Sequence, residues 1–292
     1  EDWSSAYCNV EKELDLAELK LVRGSIPKQI SGTFYRNGPG RLERGGQWVH
    51  HPFDGDGMIA AIKFKGGKVT FSNRFIKTKE WEEEEKAGEF TYRGVFGTPK
   101  PGGVFKNAFD LRLKNIANTN VIRLGDQLLA LWEAAGPHAL NPDTLITHGL
   151  STLNGALKQG EAFSAHPRFD PGHHGTKNMV TFGVKTGPKS TIRLMEFSTE
   201  GNNSGELISD RKDNFPGFAF LHDFAITPNW AIFLQNALSF NPIPFVLGKK
   251  GAAQCLSSNK KEKSKIILIP RDCGEHAGES PRTINGPDGF VF

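Results

Sequence analysis

The sequence predicts an all-β protein. From Ser31 onward, short apolar or alternating segments recur, bounded by Gly, Pro, Asn or Asp, which is the pattern of strands joined by turns. The 33 glycines and 17 prolines are scattered between these segments, whereas a helical bundle needs long stretches without either residue. With 22 phenylalanines and an apolar fraction of 37%, the chain can also bury a substantial core.

The predicted strands are short and follow one another closely along the chain. Two hairpins are predicted, because Gly66-Gly67 and Gly125-Asp126 are two-residue links of the kind that joins antiparallel neighbours. The spacing favours a sandwich, a barrel or a propeller over a parallel α/β fold, and it does not distinguish among these three. The predicted strand segments are GTFYRN, MIAAIKF, KVTFSNRF, NTNVIRL, QLLALWE, NMVTFGV, TIRLMEFS, FAFLHDFAIT, WAIFLQN and KIILIP.

Three stretches are predicted to lie outside these strands. Residues 1–30 are predicted to form an arm that packs against a domain formed by residues 31–292, because leucines lie among charges before the first strand. The charge run WEEEEK at 81–86 is typical of a solvated loop or helix face. Residues 248–265 contain six lysines and one glutamate and are predicted to form a surface loop.

Charge and cysteine content limit the function classes. A net charge of +4, spread evenly, does not indicate a nucleic-acid partner. Cys8, Cys255 and Cys273 are far apart and form no C-x-x-C motif, so we expect a reducing compartment and neither a disulfide framework nor a thiolate zinc site. No segment approaches the roughly 18 apolar residues of a membrane span, and the first residues lack the features of a signal peptide. Because the chain begins with Glu1 rather than Met, we expect further sequence upstream.

Three ionisable residues lie in or at the ends of predicted strands. His166 follows the apolar run EAFSA, and His222 lies within FAFLHDFAIT. Each could be a metal ligand, although a hydrogen-bonded core histidine is the commoner case, and the presence of two on separate strands moves the balance towards a metal without reversing it. Glu133 ends LLALWE, where a buried carboxylate needs a partner. That partner could be an ordinary cation, or the N–H of a metal-bound imidazole whose tautomer the carboxylate fixes.

Other candidate ligands are less well placed. Asp223 adjoins His222, and neighbouring strand residues face opposite sides of a sheet, so a site of two histidines and one carboxylate is not expected. Of the histidine pair at 50–51, at most one ring can face a pocket. The pair at 173–174 and His276 lie in predicted turns.

The string FDGDGM at 53–58 does not predict a calcium site. Counted from Asp54, an EF-hand loop needs a bidentate acid at its twelfth position, and that residue is Lys65. Gly55 and Gly57 are instead expected to allow a sharp turn with positive φ. The sequence also has no serine-hydrolase elbow, P-loop, H-E-x-x-H motif or dinucleotide fingerprint.

The segment FNPIPFVLGKK at 240–250 places apolar residues directly before two lysines. This pattern is typical of a segment that enters the bilayer interface. The alternative is a buried connection between strands. The residues concerned are Phe240, Ile243, Phe245, Val246, Leu247, Lys249 and Lys250.

Five segments, taken in order and spacing, resemble the carotenoid cleavage oxygenase family. The resemblance implies a seven-bladed β-propeller whose axis holds iron(II) on four histidines, three of them braced by glutamates. Residue by residue, it implies that His166 and His222 are the first two iron ligands and that Glu133 is the first bracing carboxylate. The segments are GTFYRNGPG at 32–40, HPFDGDGM at 51–58, LLALWEAAGP at 128–137, FSAHPRFDP at 163–171 and FAFLHDFAIT at 218–227.

The resemblance also implies a function. Family members split a C=C bond of a carotenoid or apocarotenoid with O2, giving two carbonyl products, and they take apolar substrates from membranes, which favours an interfacial role for 240–250. We expect this chain to hold only the N-terminal blades, with the remaining histidines and glutamates further on. The alternatives are isomerase or isomerohydrolase chemistry on the same scaffold and a truncated, non-catalytic protein. A plant source would imply the plastid, and a bacterial source the cytoplasmic side of a membrane.

Overall fold

The computed structural model describes residues 4–173, 175–259 and 262–286. The chain divides into two compact units. The first comprises Glu1–Leu131, Pro137–Leu150 and Pro244–Gln254, and the second comprises Trp132–Gly136, Ser151–Ile243 and Cys255–Phe292. The predictions made for His174, for Lys260 and Lys261 of the lysine-rich stretch and for the last six residues lie outside the described ranges.

The first unit contains two four-stranded antiparallel sheets and one two-stranded sheet. Its strands are β1 (Leu14–Glu18), β2 (Gly32–Arg41), β3 (Glu43–Arg44), β4 (Gln47–Trp48), β5 (Asp56–Lys65), β6 (Lys68–Phe75), β7 (Asn120–Leu124), β8 (Gln127–Leu131), β9 (His138–Leu140) and β10 (Thr147–Leu150), and its helices are α1 (Lys79–Ala87) and α2 (Gly103–Asn107). The first sheet has the order β1-β6-β5-β2, the second β10-β9-β8-β7, and β3 pairs with β4. Ile59, Leu128 and Leu140 are fully buried in one core cluster to which both four-stranded sheets contribute.

The second unit is also built from two four-stranded antiparallel sheets and a two-stranded one. Its strands are β11 (Arg168–Asp170), β12 (Asn178–Lys185), β13 (Lys189–Ser198), β14 (Leu207–Pro216), β15 (Phe224–Ile226), β16 (Trp230–Gln235), β17 (Leu238–Phe240), β18 (Leu256–Ser258), β19 (Lys265–Pro270) and β20 (Arg282–Asn285). The third sheet has the order β11-β12-β13-β14, the fourth β15-β16-β19-β20, and β17 pairs with β18. The ring of Phe182 in the third sheet meets Phe224 and Phe233 of the fourth edge-on, at centroid distances of 5.1 and 5.0 Å.

The predicted all-β fold is confirmed. Every predicted strand segment contains a strand, and each four-stranded antiparallel sheet has the form of a propeller blade. Among the described residues, no sheet closes on itself. The stretch predicted as an arm contributes β1, which pairs with β6 of the first sheet. A third helix, α3 (Ile243–Val246), lies within the segment predicted to be interfacial.

Both predicted hairpins are confirmed. Lys65 pairs with Lys68 across Gly66 and Gly67, whose φ values of 59° and 81° are those of a type I′ turn. Leu124 pairs with Gln127 in the second hairpin, where Gly125 alone has a positive φ, of 62°. Glycine at these positions therefore supplies a backbone conformation that other residues adopt only with strain.

The expectation of positive φ at Gly55 and Gly57 is wrong. Gly55 has a φ of −73°, and Gly57 continues the extended backbone of β5. The physical reason for glycine here is space, because a Cβ on Gly57 would lie 2.5 Å from the carbonyl oxygen of Ala117. A Cβ on Gly55 would lie 2.6 Å from Cδ2 of Leu42. The two glycines thus allow close packing against neighbouring segments.

The charge run WEEEEK forms most of α1, and its prediction as a solvated face is wrong for one residue. Thr78 caps the helix, since its hydroxyl accepts a hydrogen bond from the backbone N–H of Trp81. Glu84 is fully buried, and its carboxylate lies 2.6 Å from Nζ of Lys114. Burial raises the pKa of Glu84, and the ammonium of Lys114 opposes that rise.

Two further observations concern the cysteines and the helices. Cys8, Cys255 and Cys273 are all unpaired thiols. In the part of the chain that the structure describes, no helix has both the length and the apolar character needed to cross a bilayer.

His138, the first residue of β9, should make folding stability depend on pH. The imidazole is buried, and its Nδ1 has no hydrogen-bond partner among the described residues. Burial lowers its pKa to about 4. Below about pH 6.5 the His138 imidazole therefore binds a proton in the unfolded chain but stays neutral in the folded chain. The contribution of His138 to the free energy of unfolding is fully present above that pH. It is lost as the pH falls towards 4, by an amount on the order of 3 kcal/mol.

We expect His138→Leu to reduce the decrease in the free energy of unfolding that occurs between pH 7 and pH 4.5. Urea titration at each pH would measure this free energy. His148→Gln, at an exposed position on the neighbouring β10, is the matched control and should leave the fall unchanged. An unaltered pH dependence in the His138 variant would contradict the assignment.

Candidate metal centre

Two imidazoles and one carboxylate of the second unit converge. Nε2 of His166 lies 3.1 Å from Nε2 of His222. The ring centroids are 4.5 Å apart, with an angle of 65° between the ring planes. Nδ1 of His222 lies 2.6 Å from Oε2 of Glu133. The fold therefore brings together the three residues that the sequence singled out, although 56 and 89 residues separate His222 from the other two along the chain.

Glu133 follows β8 at a point where the chain turns away from the ladder. Trp132, directly before it, is buried. The N–H of Ala135 donates to the carbonyl of Trp132 at 3.4 Å, and the carbonyl of Ala135 accepts from Phe163 at 3.3 Å. These bonds tie the segment that carries Glu133 to the segment that leads to His166.

His166 lies in a loop, two residues before β11 begins. The backbone N–H of Ser164 donates to the carbonyl of Phe182 at 2.7 Å, and its hydroxyl accepts from the N–H of His166 at 3.0 Å. A Cβ on Gly183 would lie 2.3 Å from the carbonyl oxygen of Ala162, so only glycine allows this loop to lie against β12. The loop is thus held by hydrogen bonds and close packing rather than by a strand ladder.

His222 also lies in a loop, two residues before β15. Leu221 and Phe224 on either side of it are buried. The expectation that FAFLHDFAIT is one strand is therefore wrong, since strand pairing begins only at Phe224. Both histidines occupy loops just before the first strand of a sheet, where side chains are not committed to a sheet face.

The electrostatics of the two imidazoles differ. The carboxylate of Glu133 accepts a hydrogen bond from His222 and raises the pKa of that imidazole. Burial and the neighbouring His222 lower the pKa of His166. With its proton on Nδ1 and bound to Glu133, a neutral His222 presents the lone pair of Nε2 towards His166.

This geometry fits the binding of one metal ion. Two nitrogens that each bind one ion at about 2.1 Å can be at most about 4.2 Å apart, and the observed separation of 3.1 Å lies within that limit. The hydrogen bond from Nδ1 to a carboxylate is the usual outer contact of a metal-bound histidine. In the ranges that the structure describes, no group of three or more His, Cys, Asp or Glu side chains is arranged to hold a metal. The described residues thus supply a pair of ligands.

The remaining candidates bind elsewhere. Oδ2 of Asp223 accepts a hydrogen bond from Arg168 at 2.5 Å. His173 and His276 each bond through Nδ1 to a carboxylate three residues away in sequence, at 2.9 and 2.8 Å.

The segment 240–250 is partly exposed and partly buried. Ile243 is 64% exposed and Leu247 37%, while Val246 is partly buried and both Lys249 and Lys250 are exposed. Phe245 is buried, and the guanidinium of Arg93 lies 4.1 Å from the centroid of its ring. Phe245 therefore anchors the segment and is not part of its exposed surface.

Phe240, in β17, has a different environment. Its ring is partly buried and stacks on Phe218, at a centroid distance of 5.5 Å and an angle of 12°. The two rings line a cavity together with Gln235 and Leu238. Phe240 thus borders an aromatic recess of the second unit.

A second exposed apolar stretch, which was not predicted from the sequence, lies in the first unit. Phe105, in α2, is 97% exposed and Phe109 is 75% exposed. The N–H of Phe109 donates to the carbonyl of Val246 at 2.7 Å, so this stretch adjoins the lysine-flanked segment. The spacing of GVFKNAF gave a signal, because two phenylalanines flank a lysine without any alternation that would bury them.

Comparisons with known proteins place these features in context. A model of the retinal pigment epithelial membrane protein family matches residues 7–292. Apocarotenoid-15,15′-oxygenase of Synechocystis sp. is 48% identical over 296 residues, covering 100% of this chain and 58% of that protein. Isoeugenol monooxygenase of Pseudomonas nitroreducens is 34% identical over 274 residues, covering 94% of this chain and 52% of that protein.

Solved structures agree with the sequence comparison. The cobalt-substituted Synechocystis apocarotenoid oxygenase matches with a TM-score of 0.93 and 47% identity, covering 100% of this chain and 60% of that chain. The expected resemblance and the expected propeller fold are confirmed by these matches. The chain spans less than two thirds of the length of these relatives.

Glu133→Gln should lower the pKa of His222, because an amide oxygen can accept the Nδ1 hydrogen bond but cannot stabilise a positive imidazolium. NMR titration of the imidazole signals in metal-free protein would measure this change. Glu279→Gln removes the same kind of carboxylate from His276, whose side chain is 32% exposed like that of His222, and is the matched control. An unchanged pKa of His222 in the Glu133 variant would contradict the assigned contact.

Proposed function

The chain belongs to the retinal pigment epithelial membrane protein family, and on this premise we propose that the protein carrying it cleaves a C=C bond of a carotenoid or apocarotenoid with O2 at an iron(II) centre. The observation that carries the proposal is the convergence of His166 and His222, with Nε2 atoms 3.1 Å apart. In this proposal His166 and His222 hold the metal and Glu133 orients His222.

The donor set suits a ferrous ion. Imidazole nitrogens are good ligands for iron, and because they are neutral they leave its double positive charge uncompensated. When bound, iron(II) would supply the binding and activation of O2. The lowered pKa of His166 keeps that ring neutral and its lone pair available.

The protein residues act by position. Glu133 holds the proton of His222 on Nδ1 and so keeps Nε2 directed at the site. Neither imidazole needs to act as a general base, because the reaction transfers no proton. One C=C bond breaks and both oxygen atoms of O2 enter the products, giving two C=O groups, so the atoms and electrons balance. The selection of one double bond must then come from how the polyene is positioned.

The substrate class is inferred from relatives and from the surface. The matched Synechocystis protein is an apocarotenoid oxygenase, and a resveratrol cleavage oxygenase of Aspergillus fumigatus, 34% identical over 77% of this chain and 42% of its own length, has a conjugated aromatic substrate in its name. Each name points to an extended conjugated molecule. Such a substrate is sparingly soluble in water, so the enzyme needs access to a membrane or a lipid droplet.

We propose that the first unit provides this access. The exposed surface formed by Phe105, Phe109, Leu247, Lys249 and Lys250, here called the lipid-facing patch, combines apolar side chains with cations. Apolar side chains insert into the acyl boundary while lysines contact lipid phosphates. The protein would thus be peripheral, on the surface of a plastid membrane in a plant or of the cytoplasmic membrane in a bacterium.

We expect turnover of an apocarotenoid under 18O2 to place label in the carbonyl products of the whole protein, measured by mass spectrometry with short reaction times to limit exchange with water. His222→Ala should abolish turnover, since it removes a ligand. Products that retain the carbon skeleton but carry a shifted double bond or a hydroxyl group would instead indicate isomerase or isomerohydrolase chemistry.

Phe105→Ser and Phe109→Ser should each weaken binding to vesicles of anionic lipid by about tenfold, because burial of a phenylalanine contributes about 1.5–3 kcal/mol. Sedimentation of the protein with vesicles would measure this. Phe34→Ser is the control, since Phe34 is 59% exposed but lies on the first sheet, outside the lipid-facing patch. Equal losses of vesicle binding in all three variants would contradict the assignment of the lipid-facing patch.

A further inference from the structure

Arg168 links the residues that adjoin the two histidines. It lies two positions after His166, as the first residue of β11. Its Nε donates to the backbone carbonyl of Phe224 at 2.9 Å, and its Nη2 donates to Oδ2 of Asp223 at 2.5 Å. Asp223 and Phe224 directly follow His222. One side chain therefore spans from the first histidine segment to the second.

The contact constrains orientation as well as distance. A guanidinium is a rigid planar fork, so its two donors fix the direction from which both acceptors approach. The other oxygen of Asp223 accepts from the backbone N–H of Phe224 at 2.7 Å. The carbonyl of Phe224 is thus held directly by Arg168, and its N–H is held through Asp223. We call this arrangement of Arg168, Asp223 and Phe224 the clasp.

Both ends of the clasp are attached to well-packed structure. Arg168 pairs with Val180 in the ladder between β11 and β12. Phe224 is buried and stacks on Phe233, with centroids 5.4 Å apart and an angle of 12°. Movement of either histidine loop relative to the other would therefore have to break the clasp or disturb these contacts.

The clasp joins the two histidine loops, which strand pairing does not join. His166 and His222 lie in loops, and 56 residues separate them along the chain, so no local hydrogen bond sets their separation. Metal affinity depends steeply on ligand separation, and outer contacts that hold ligands in place typically contribute 10- to 100-fold. An arginine that joins the two loops is placed to hold that separation.

We propose that Arg168 is a positioning residue that fixes the separation of the imidazoles of His166 and His222 by clasping Asp223 and Phe224. The inference rests on the proposed function, because it takes the two histidines as ligands of one metal ion. The side chain of Arg168 bonds to Asp223 and Phe224, the two residues that follow His222. It acts through the backbone that carries His222.

The test uses the whole protein that carries this chain, freed of metal and titrated with Co2+, whose absorption spectrum reports ligand geometry. Arg168→Gln should weaken Co2+ binding about tenfold and alter the visible spectrum. Arg168→Lys keeps a cation for Asp223 but cannot fork to the carbonyl of Phe224, so it should give an intermediate affinity. The double variant with Asp223→Ala and Arg168→Gln should bind Co2+ no more weakly than the weaker-binding of the two single variants, because both substitutions break the same contact.

Arg282→Gln is the matched control. Arg282 is 54% exposed at its side chain and bonds to Glu279 at 2.7 Å, comparable with the 45% exposure of the Arg168 side chain. Both arginine-to-glutamine variants should change the unfolding temperature of the metal-free protein by similar small amounts, because exposed ion pairs contribute little. Only Arg168→Gln should change Co2+ affinity and spectrum, which a general loss of stability would not do.

Two results separate failure of the clasp from failure of the metal site. If Arg168→Gln binds Co2+ with wild-type affinity and spectrum while His222→Ala loses binding, the clasp is overturned and the metal site stands. If His166→Ala and His222→Ala both retain wild-type Co2+ binding, the proposed metal site is overturned. The positioning role of the clasp is then overturned as well.

Discussion

The buried guanidinium of Arg271 is the interaction on which the second unit depends. It follows β19 of the fourth sheet and is fully buried. Its nitrogens donate to Asp170 of β11 at 2.6 Å and to both oxygens of Glu196 in β13 at 2.9 Å. Loss of one partner from such a cluster typically costs about 3–5 kcal/mol, because a charge remains buried without compensation. The third and fourth sheets are thus joined by a contact that tolerates little change.

This cluster bears on the metal centre because of where β11 lies. Arg271 holds Asp170 at the end of the strand, and Arg168 at its beginning reaches Asp223 and Phe224. A strand of three residues is thereby fixed at both ends, and His166 stands two residues before it. Buried charges supply the rigidity, and the adjoining loop supplies the functional group, as is common where sites are built on a scaffold.

Local signals in the sequence predicted the fold class and both hairpins, whereas the meeting of Glu133, His166 and His222 at one centre was implied only by the family resemblance. Glu133, His166 and His222 stand out as ionisable residues beside apolar runs. Their loop positions could not be predicted, because Ala165 and Leu221 are buried in loops and look the same in sequence as strand residues. Lys114, which pairs with Glu84, lies 30 residues from it, and the two carboxylates that bind Arg271 lie 75 and 101 residues away, so no local pattern reveals these ion pairs.

A pair of imidazoles 3.1 Å apart can share a proton or hold a metal ion, and the two outcomes compete for one place. Glu133 stabilises positive charge on His222 in either case, which raises the pKa of that ring. The lowered pKa of His166 opposes a second proton. A divalent ion binds the lone pairs of both Nε2 atoms, so neither Nε2 can carry a proton when the ion is bound. The balance therefore moves towards the metal as the pH rises, and towards the shared proton as it falls.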